Sequence, residues 1–122
     1  MNRITIRTLF LLFSGEDNCD ALMAFIDVSM MEISKILKPD ADADDVRLDF
    51  LCAANANYRY QQAKSARDNS EFTYAGKMSS EDNNKIVSYA VKLVRDYYEL
   101  CSDLLEQQNF IFMSFSSKED MS

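Results

Sequence analysis

The sequence predicts a mostly α fold with three main helices, a short N-terminal helix, and short extended arms near 71–77 and 109–115. Apolar residues recur at three- and four-residue spacing over most of the chain, which is the pattern of helices that bury one face. Only two glycines and one proline occur in 122 residues, which argues against a turn-rich β fold. We expect one helical domain over 1–115, followed by a polar, disordered tail at 116–122.

The first element is a short helix, predicted around Ile6–Phe13. Ile4 and Ile6 alternate as they would in a strand, whereas the apolar residues after them repeat at the spacing of a helical turn. Gly15 follows, and glycine commonly ends a helix because it adopts a left-handed backbone without strain. The helical interpretation is therefore preferred.

The first main helix is predicted at about Asp20–Leu37. Its apolar stripe follows helical spacing and consists of Leu22, Phe25, Ile26, Ser29, Ile33, Ile36 and Leu37. Pro39 ends the pattern, because the residue before a proline disfavours the helical conformation. Met23, Met30 and Met31 widen the stripe, either as core filling or as an adaptable contact surface, since methionine packs against many shapes.

Aspartates alternate between this helix and the next, as they do at the start of a calcium-binding loop. With Asp40 at position 1 of such a loop, position 6 is Asp45, where a glycine is required. Position 12 is Leu51, where a bidentate glutamate is required. We instead interpret Asp42 or Asp44 as the N-cap of the next helix, and we predict no metal site.

The second main helix is predicted at about Asp44–Asp68 and is expected to be the most buried element. Its apolar and small residues cover two faces, which requires neighbours on two sides. Five alanines favour the helix and let partner helices approach closely. Leu51 lies in the middle of one stripe and is expected to be enclosed by the other helices.

The third main helix is predicted at about Ser80–Gln107, after a start that resembles a capping box. One stripe runs along it and contains Ile86, Ala90, Leu93, Val94, Tyr97, Cys101, Leu104 and Leu105. Leu93, in the middle of the stripe, is expected in the core. Tyr89, Tyr98 and Leu100 fall off this stripe, and they suggest a second contact surface.

Two apolar segments flank the third helix and are predicted to be extended arms. Residues 71–77 read EFTYAGK and residues 109–115 read NFIFMSF, with aromatic residues alternating in both. The arms could pair with each other, or each could complete the sheet edge of a neighbouring subunit. The candidate interface residues are Phe72, Tyr74, Phe110, Phe112 and Phe115.

The composition argues against most enzyme chemistry. There is no histidine, so no Ser-His or Cys-His nucleophile pair can form, and zinc ligands reduce to three widely spaced cysteines. Gly15 and Gly76 stand alone, which excludes a glycine-rich phosphate loop. No paired carboxylates are flanked by the apolar residues that would raise one pKa. We predict no enzyme activity, no catalytic, cofactor-binding or metal-binding residues, and no cofactor.

The net charge, the cysteines and the apolar runs of the sequence indicate which binding partners and which surroundings to expect for the protein. The net charge of −7 opposes binding to a phosphate backbone. Cys19, Cys52 and Cys101 are odd in number and widely spaced, so we expect reduced, buried thiols. The apolar run near the N-terminus is too short for a signal peptide, and no stretch approaches the roughly 18 apolar residues of a membrane span. We expect a soluble protein without membrane contact.

The order of the predicted turn, helices and arm resembles that of a known protein family. An acidic turn and amphipathic helix, FSGEDNCDALMAFIDVSMMEISKIL, precede an alanine-rich helix, DADDVRLDFLCAANANYRYQQAKSAR, then an arm, and then a last helix ending in YYELCSDLLEQQNFIF. Over residues 6–115 this order resembles the small helical head–tail connector (adaptor) proteins of tailed phages and prophages.

The resemblance implies a structural, non-enzymatic subunit, found in the virion or in the host cytoplasm. It would self-associate into a ring beneath the portal and link the packaged head to the next tail component. DNA would pass through the ring without specific binding. The residues also fit a different class, a cytosolic helical protein–protein interaction module that binds a partner helix or peptide in a methionine-lined groove.

Overall fold

The computed structural model describes residues 1–71 and 78–106, with side chains described for 1–67 and 85–106. This part of the chain forms four α-helices: α1 (Arg3–Ser14), α2 (Met23–Ile36), α3 (Val46–Glu71) and α4 (Met78–Leu100). Short 3-10 turns at Asp20–Leu22 and Ser102–Leu104 precede α2 and follow α4. The predicted mostly α fold with a short N-terminal helix is confirmed.

Helix α1 has well-defined ends. The side chain of Asn2 accepts hydrogen bonds from the backbone N–H groups of Ile4 at 3.0 Å and Thr5 at 3.2 Å, which is N-cap geometry. Gly15, with φ of 76°, takes the left-handed conformation at the other end. The strand-like alternation at the start of the sequence was misleading, because α1 already begins at Arg3.

Helix α2 begins at Met23, later than the predicted Asp20. The side chain of Asn18 accepts from the backbone N–H of Asp20 at 2.8 Å, and the Leu22 N–H donates to the Cys19 carbonyl at 2.8 Å. These local bonds form a tight turn in place of the first α-helical turn. The predicted stripe is otherwise correct, and its buried members are Ile26, Ser29, Ile33 and Ile36.

Helix α3 is the centre of the fold, and α1, α2 and α4 all pack against it. Every residue from Leu51 to Asn57 is buried, which a helix achieves only when it has neighbours on all sides. Leu51 itself is 0% exposed. The predicted central helix and the predicted core position of Leu51 are therefore correct. The helix extends to Glu71, past the predicted end at Asp68.

Helix α4 ends at Leu100, and the prediction that it continues to Gln107 is wrong. After a turn, Leu105 forms an isolated antiparallel bridge with Leu37. The Lys38 N–H donates to the Leu104 carbonyl at 3.0 Å, and the Glu106 N–H donates to the Ile36 carbonyl at 2.7 Å. Leu104, the last residue of the 3-10 turn, and Leu105, which is extended, both remain buried, which explains why their apolar spacing looked helical.

The predicted stripe along α4 and the turn after it is buried at most, but not all, of its positions. Ala90, Val94 and Cys101 are buried, whereas Leu93 is half-buried and Ile86 is 44% exposed. The expectation that Leu93 lies enclosed in the core is therefore wrong. The broad apolar spacing of this helix contains two overlapping stripes, and only packing against α3 decides which one is buried.

Arg47 connects the start of α3 to the end of α4. Its guanidinium donates to both carboxylate oxygens of Asp45 at 3.1 and 3.0 Å and to both of Asp103 at 2.9 and 3.1 Å. It also donates to the Leu100 carbonyl at 3.0 Å, an otherwise unpaired acceptor position at a helix C-terminus. This arrangement holds the pKa of both aspartates below the usual range, because Arg47 hydrogen-bonds to their charged forms.

Candidate functional site

The five aromatic residues predicted to form an interface lie outside the described residues. They are Phe72, Tyr74, Phe110, Phe112 and Phe115. Of the two predicted arms, only Glu71 is described, and it is the last residue of α3 rather than part of an arm. The remainder of 71–77, the whole of 109–115 and the predicted tail at 116–122 stay predictions.

A cleft of about 330 Å³ opens between the end of α1 and the middle parts of α3 and α4. Its lining combines apolar, aromatic and polar side chains: Phe13, Ser14, Asn57, Gln61, Lys64, Ile86, Tyr89, Ala90 and Leu93. Tyr89 is 72% exposed and Ile86 is 44% exposed. Large apolar side chains exposed side by side are typical of a contact surface. We call this region the α1–α3–α4 cleft.

Two amide side chains form the floor of the α1–α3–α4 cleft. Asn57 and Gln61 lie one turn apart on α3, and Gln61 Nε2 donates to Asn57 Oδ1 at 3.2 Å. Both residues are buried, and both line the cleft together with Ala90. Because a primary amide both donates and accepts hydrogen bonds, this floor is suited to the backbone of a peptide.

Tyr60 lies beside a second, smaller cleft of about 230 Å³. Its hydroxyl donates to Glu16 Oε2 at 2.5 Å, and its ring centre lies 5.9 Å from that of Phe10 and 5.8 Å from that of Phe25. Lys64 Nζ is 3.9 Å from the same carboxylate oxygen. The Glu16 carboxylate is thus held by two partners, and the cluster fixes the loop after α1 onto α3.

A polar network joins α2 to α3. Ser29 Oγ donates to the Cys52 carbonyl at 2.7 Å, and Asn55 Nδ2 donates to Ser29 Oγ at 3.1 Å and Glu32 Oε1 at 3.2 Å. Arg59 donates to both oxygens of Glu32. Since an arginine ion pair occupies the carboxylate, the network is suited to fixing the packing of α2 on α3 and not to acid–base chemistry.

The three cysteines are free and buried, as predicted. Burial raises the pKa of the Cys52 thiol far above its ordinary value and that of Cys101 to about 11, because a buried thiolate loses its hydration. These two thiols are therefore protonated at neutral pH and weakly nucleophilic. Among the described residues, no three acidic, cysteine or histidine side chains are close enough together to hold a metal ion.

None of the described helices combines the length and apolar character needed to cross a membrane. Comparison with family models, with curated proteins and with solved structures gives no significant match to this chain. We therefore infer the function from the surface of the domain and from the resemblance in the order of its helices.

One residue of the α1–α3–α4 cleft was predicted from the sequence to lie on a contact surface. Tyr89 falls off the apolar stripe of α4 and was expected on a second contact surface, and it does line the cleft. Ile86 and Leu93 were assigned to the core and instead form the wall of the cleft. The amide floor was missed, because Asn57 and Gln61 look like ordinary polar residues of a helix until their burial is known.

Proposed function

We propose that this chain is a structural, non-enzymatic subunit of the head–tail connector of a tailed phage or prophage-derived particle. In this function it associates with further copies into a ring beneath the portal and links the portal to the next tail component. It belongs to the virion, or to the host cytoplasm before assembly.

The observation that carries the proposal is the open α1–α3–α4 cleft, which is lined in part by exposed apolar side chains. Its exposed side chains, Ile86 and Tyr89, project from the middle of a long helix. Burial of such a surface in a subunit contact would remove apolar area from water and stabilise an assembly. The order of helices, with a central alanine-rich α3, supports the connector interpretation through the resemblance.

Charge is compatible with a channel for DNA. The chain carries 20 acidic and 13 basic residues, so a ring of identical copies would be strongly acidic. Phosphate backbones find few cations on such a surface and are repelled from it. DNA would therefore pass through the ring without specific binding.

Co-sedimentation with the cognate portal protein tests the proposal. Wild type is expected to pellet with the portal, whereas Phe110→Asp and Phe112→Asp are expected to stay in the supernatant, because an unpaired charge in an interface is costly. Phe112→Leu, which keeps an apolar side chain at the same position, is the matched control and is expected to pellet. Circular dichroism establishes that each variant is folded.

The result that refutes the proposal is a folded wild-type protein that ignores the portal. If it instead binds a helix or peptide from a cytosolic protein, the interaction-module function takes its place. The α1–α3–α4 cleft favours that second function to the same extent, although neither described cleft is lined by methionine. The groove predicted from Met23, Met30 and Met31 therefore does not correspond to either cleft.

A further inference from the structure

We propose that the α1–α3–α4 cleft receives residues 109–115 of a neighbouring copy of this chain. The inference rests on the proposed function, because it names the contact through which subunits of a ring would join. The cleft is the acceptor and the segment 109–115 is the donor.

The chemistry of the donor matches the chemistry of the acceptor. Residues 109–115 read NFIFMSF, with five large apolar side chains and no charge. The walls of the cleft are apolar at Ile86 and Leu93, and its floor is amide at Asn57 and Gln61. A peptide in extended conformation presents apolar side chains together with backbone N–H and C=O groups that need partners. The apolar walls can pack against the side chains of such a peptide, and the amide floor can hydrogen-bond to its backbone groups.

The acceptor and the last described residue before the donor lie on different sides of one subunit. Asn55 contacts α2 through Ser29, and Asn57 lines the cleft; two residues along a helix correspond to a rotation of about 200°. The cleft therefore opens on the side of α3 away from α2. Glu106, the last described residue, is bonded to Ile36 at the end of α2, so the chain enters residues 107–122 from the α2 side.

This separation favours a second copy over the same chain as the source of the segment. Phe110 and Phe112 are four and six residues beyond Glu106 in the sequence, so they reach at most about 14 and 22 Å from it. To enter its own cleft, the segment would have to pass around a helix that is about 10–12 Å in diameter. A donor and an acceptor formed by different surfaces make a heterologous contact, and such contacts form a ring when the rotation between neighbouring subunits closes.

A complementation experiment with full-length variants tests the inference. Tyr89→Arg blocks the acceptor, and Phe112→Asp blocks the donor. In sedimentation velocity, wild type is expected to gain mass with concentration, and each variant alone is expected to remain monomeric. An equimolar mixture of the two variants retains one intact donor and one intact acceptor, so it is expected to form a heterodimer and stop there. Leu12→Arg, at an apolar α1 residue that is 74% exposed outside the cleft, is expected to behave as wild type.

Disulfide trapping gives a second readout that detects a weak contact. One copy carries Tyr89→Cys and a tagged copy carries Phe112→Cys, and mild oxidation is expected to link the two copies. The inference is overturned if no link forms between copies, if one chain carrying both cysteines links only to itself, or if each single variant assembles as wild type does. Portal binding by wild type without any link would refute this inference alone, and a link without portal binding would refute the connector function alone.

Discussion

Replacing Leu51 by alanine tests whether α3 is the closed centre of the fold. Leu51 is 0% exposed, and the substitution removes three buried carbon groups at about 0.8 kcal/mol each. The cavity left behind adds to this loss, since well-packed neighbours relax only in part, so the free energy of unfolding is expected to fall by about 2–5 kcal/mol. A domain of this size has only about 5–15 kcal/mol in total, so the effect is large.

Leu93→Ala is the matched control, because it makes the same chemical change at a half-buried position beside the α1–α3–α4 cleft. The removed atoms are partly in water already, and the space they leave opens to solvent, so we expect a loss of about 1 kcal/mol. Urea titrations of both variants give the midpoints and slopes needed for the comparison. Equal losses, or a larger loss for Leu93→Ala, would refute the assignment of the buried faces.

The remaining predictions concern polar contacts and thiols. Glu32→Ala leaves the mostly buried Arg59 guanidinium without its carboxylate, so the free energy of unfolding measured in urea should fall by about 1–3 kcal/mol. Glu32→Gln keeps a hydrogen-bond acceptor and should lower it less. Equal losses for the two variants would argue against a role for that acceptor. In the Arg47→Ala variant, the free energy of unfolding should fall less steeply with decreasing pH than it does in wild type. The two aspartates beside Arg47 have lowered folded pKa values, so their stabilisation is present above the unfolded pKa of about 3.9 and lost as pH falls through the folded values. Urea midpoints measured from about pH 6 to about pH 2 check this, and parallel curves for wild type and variant would contradict it. Burial raises the pKa of Cys101 to about 11, so a colorimetric thiol assay near pH 8 should detect this thiol only after unfolding; rapid reaction of the folded protein would contradict its burial.

The sequence predicted the helices because their signals are local. Apolar spacing of three and four residues, the glycine after α1 and the alanines of α3 each act within a turn or two. The start of α2 was misplaced because local hydrogen bonds replace its first turn with a 3-10 turn. The end of α4 was misplaced for the opposite reason. The end of α4 depends on the pairing of Leu105 with Leu37, a contact between distant parts of the chain that no local pattern encodes.

The α1–α3–α4 cleft was only partly predictable, because it depends on which of two overlapping stripes of α4 packs against α3. Tyr89 was identified as lying off the main stripe, whereas Ile86 was assigned to the core. Helix periodicity alone cannot separate these positions, since they lie three residues apart on neighbouring faces. Packing against α3 buries Ala90 and Val94, and this packing decides which stripe of α4 faces the core.

The stability of the fold and the proposed contact surface lie in different parts of α3. Burial is continuous from Leu51 to Asn57 and then recurs only once per turn, at Gln61 and Ser65. The helix therefore changes from a centre enclosed on all sides to an element packed on one face, and the cleft opens where this change occurs. Because distant sites contribute almost independently to the free energy of unfolding, substitutions at exposed Tyr89 are expected to leave the core around Leu51 unweakened. This separation allows the surface of the cleft to change while the fold is kept.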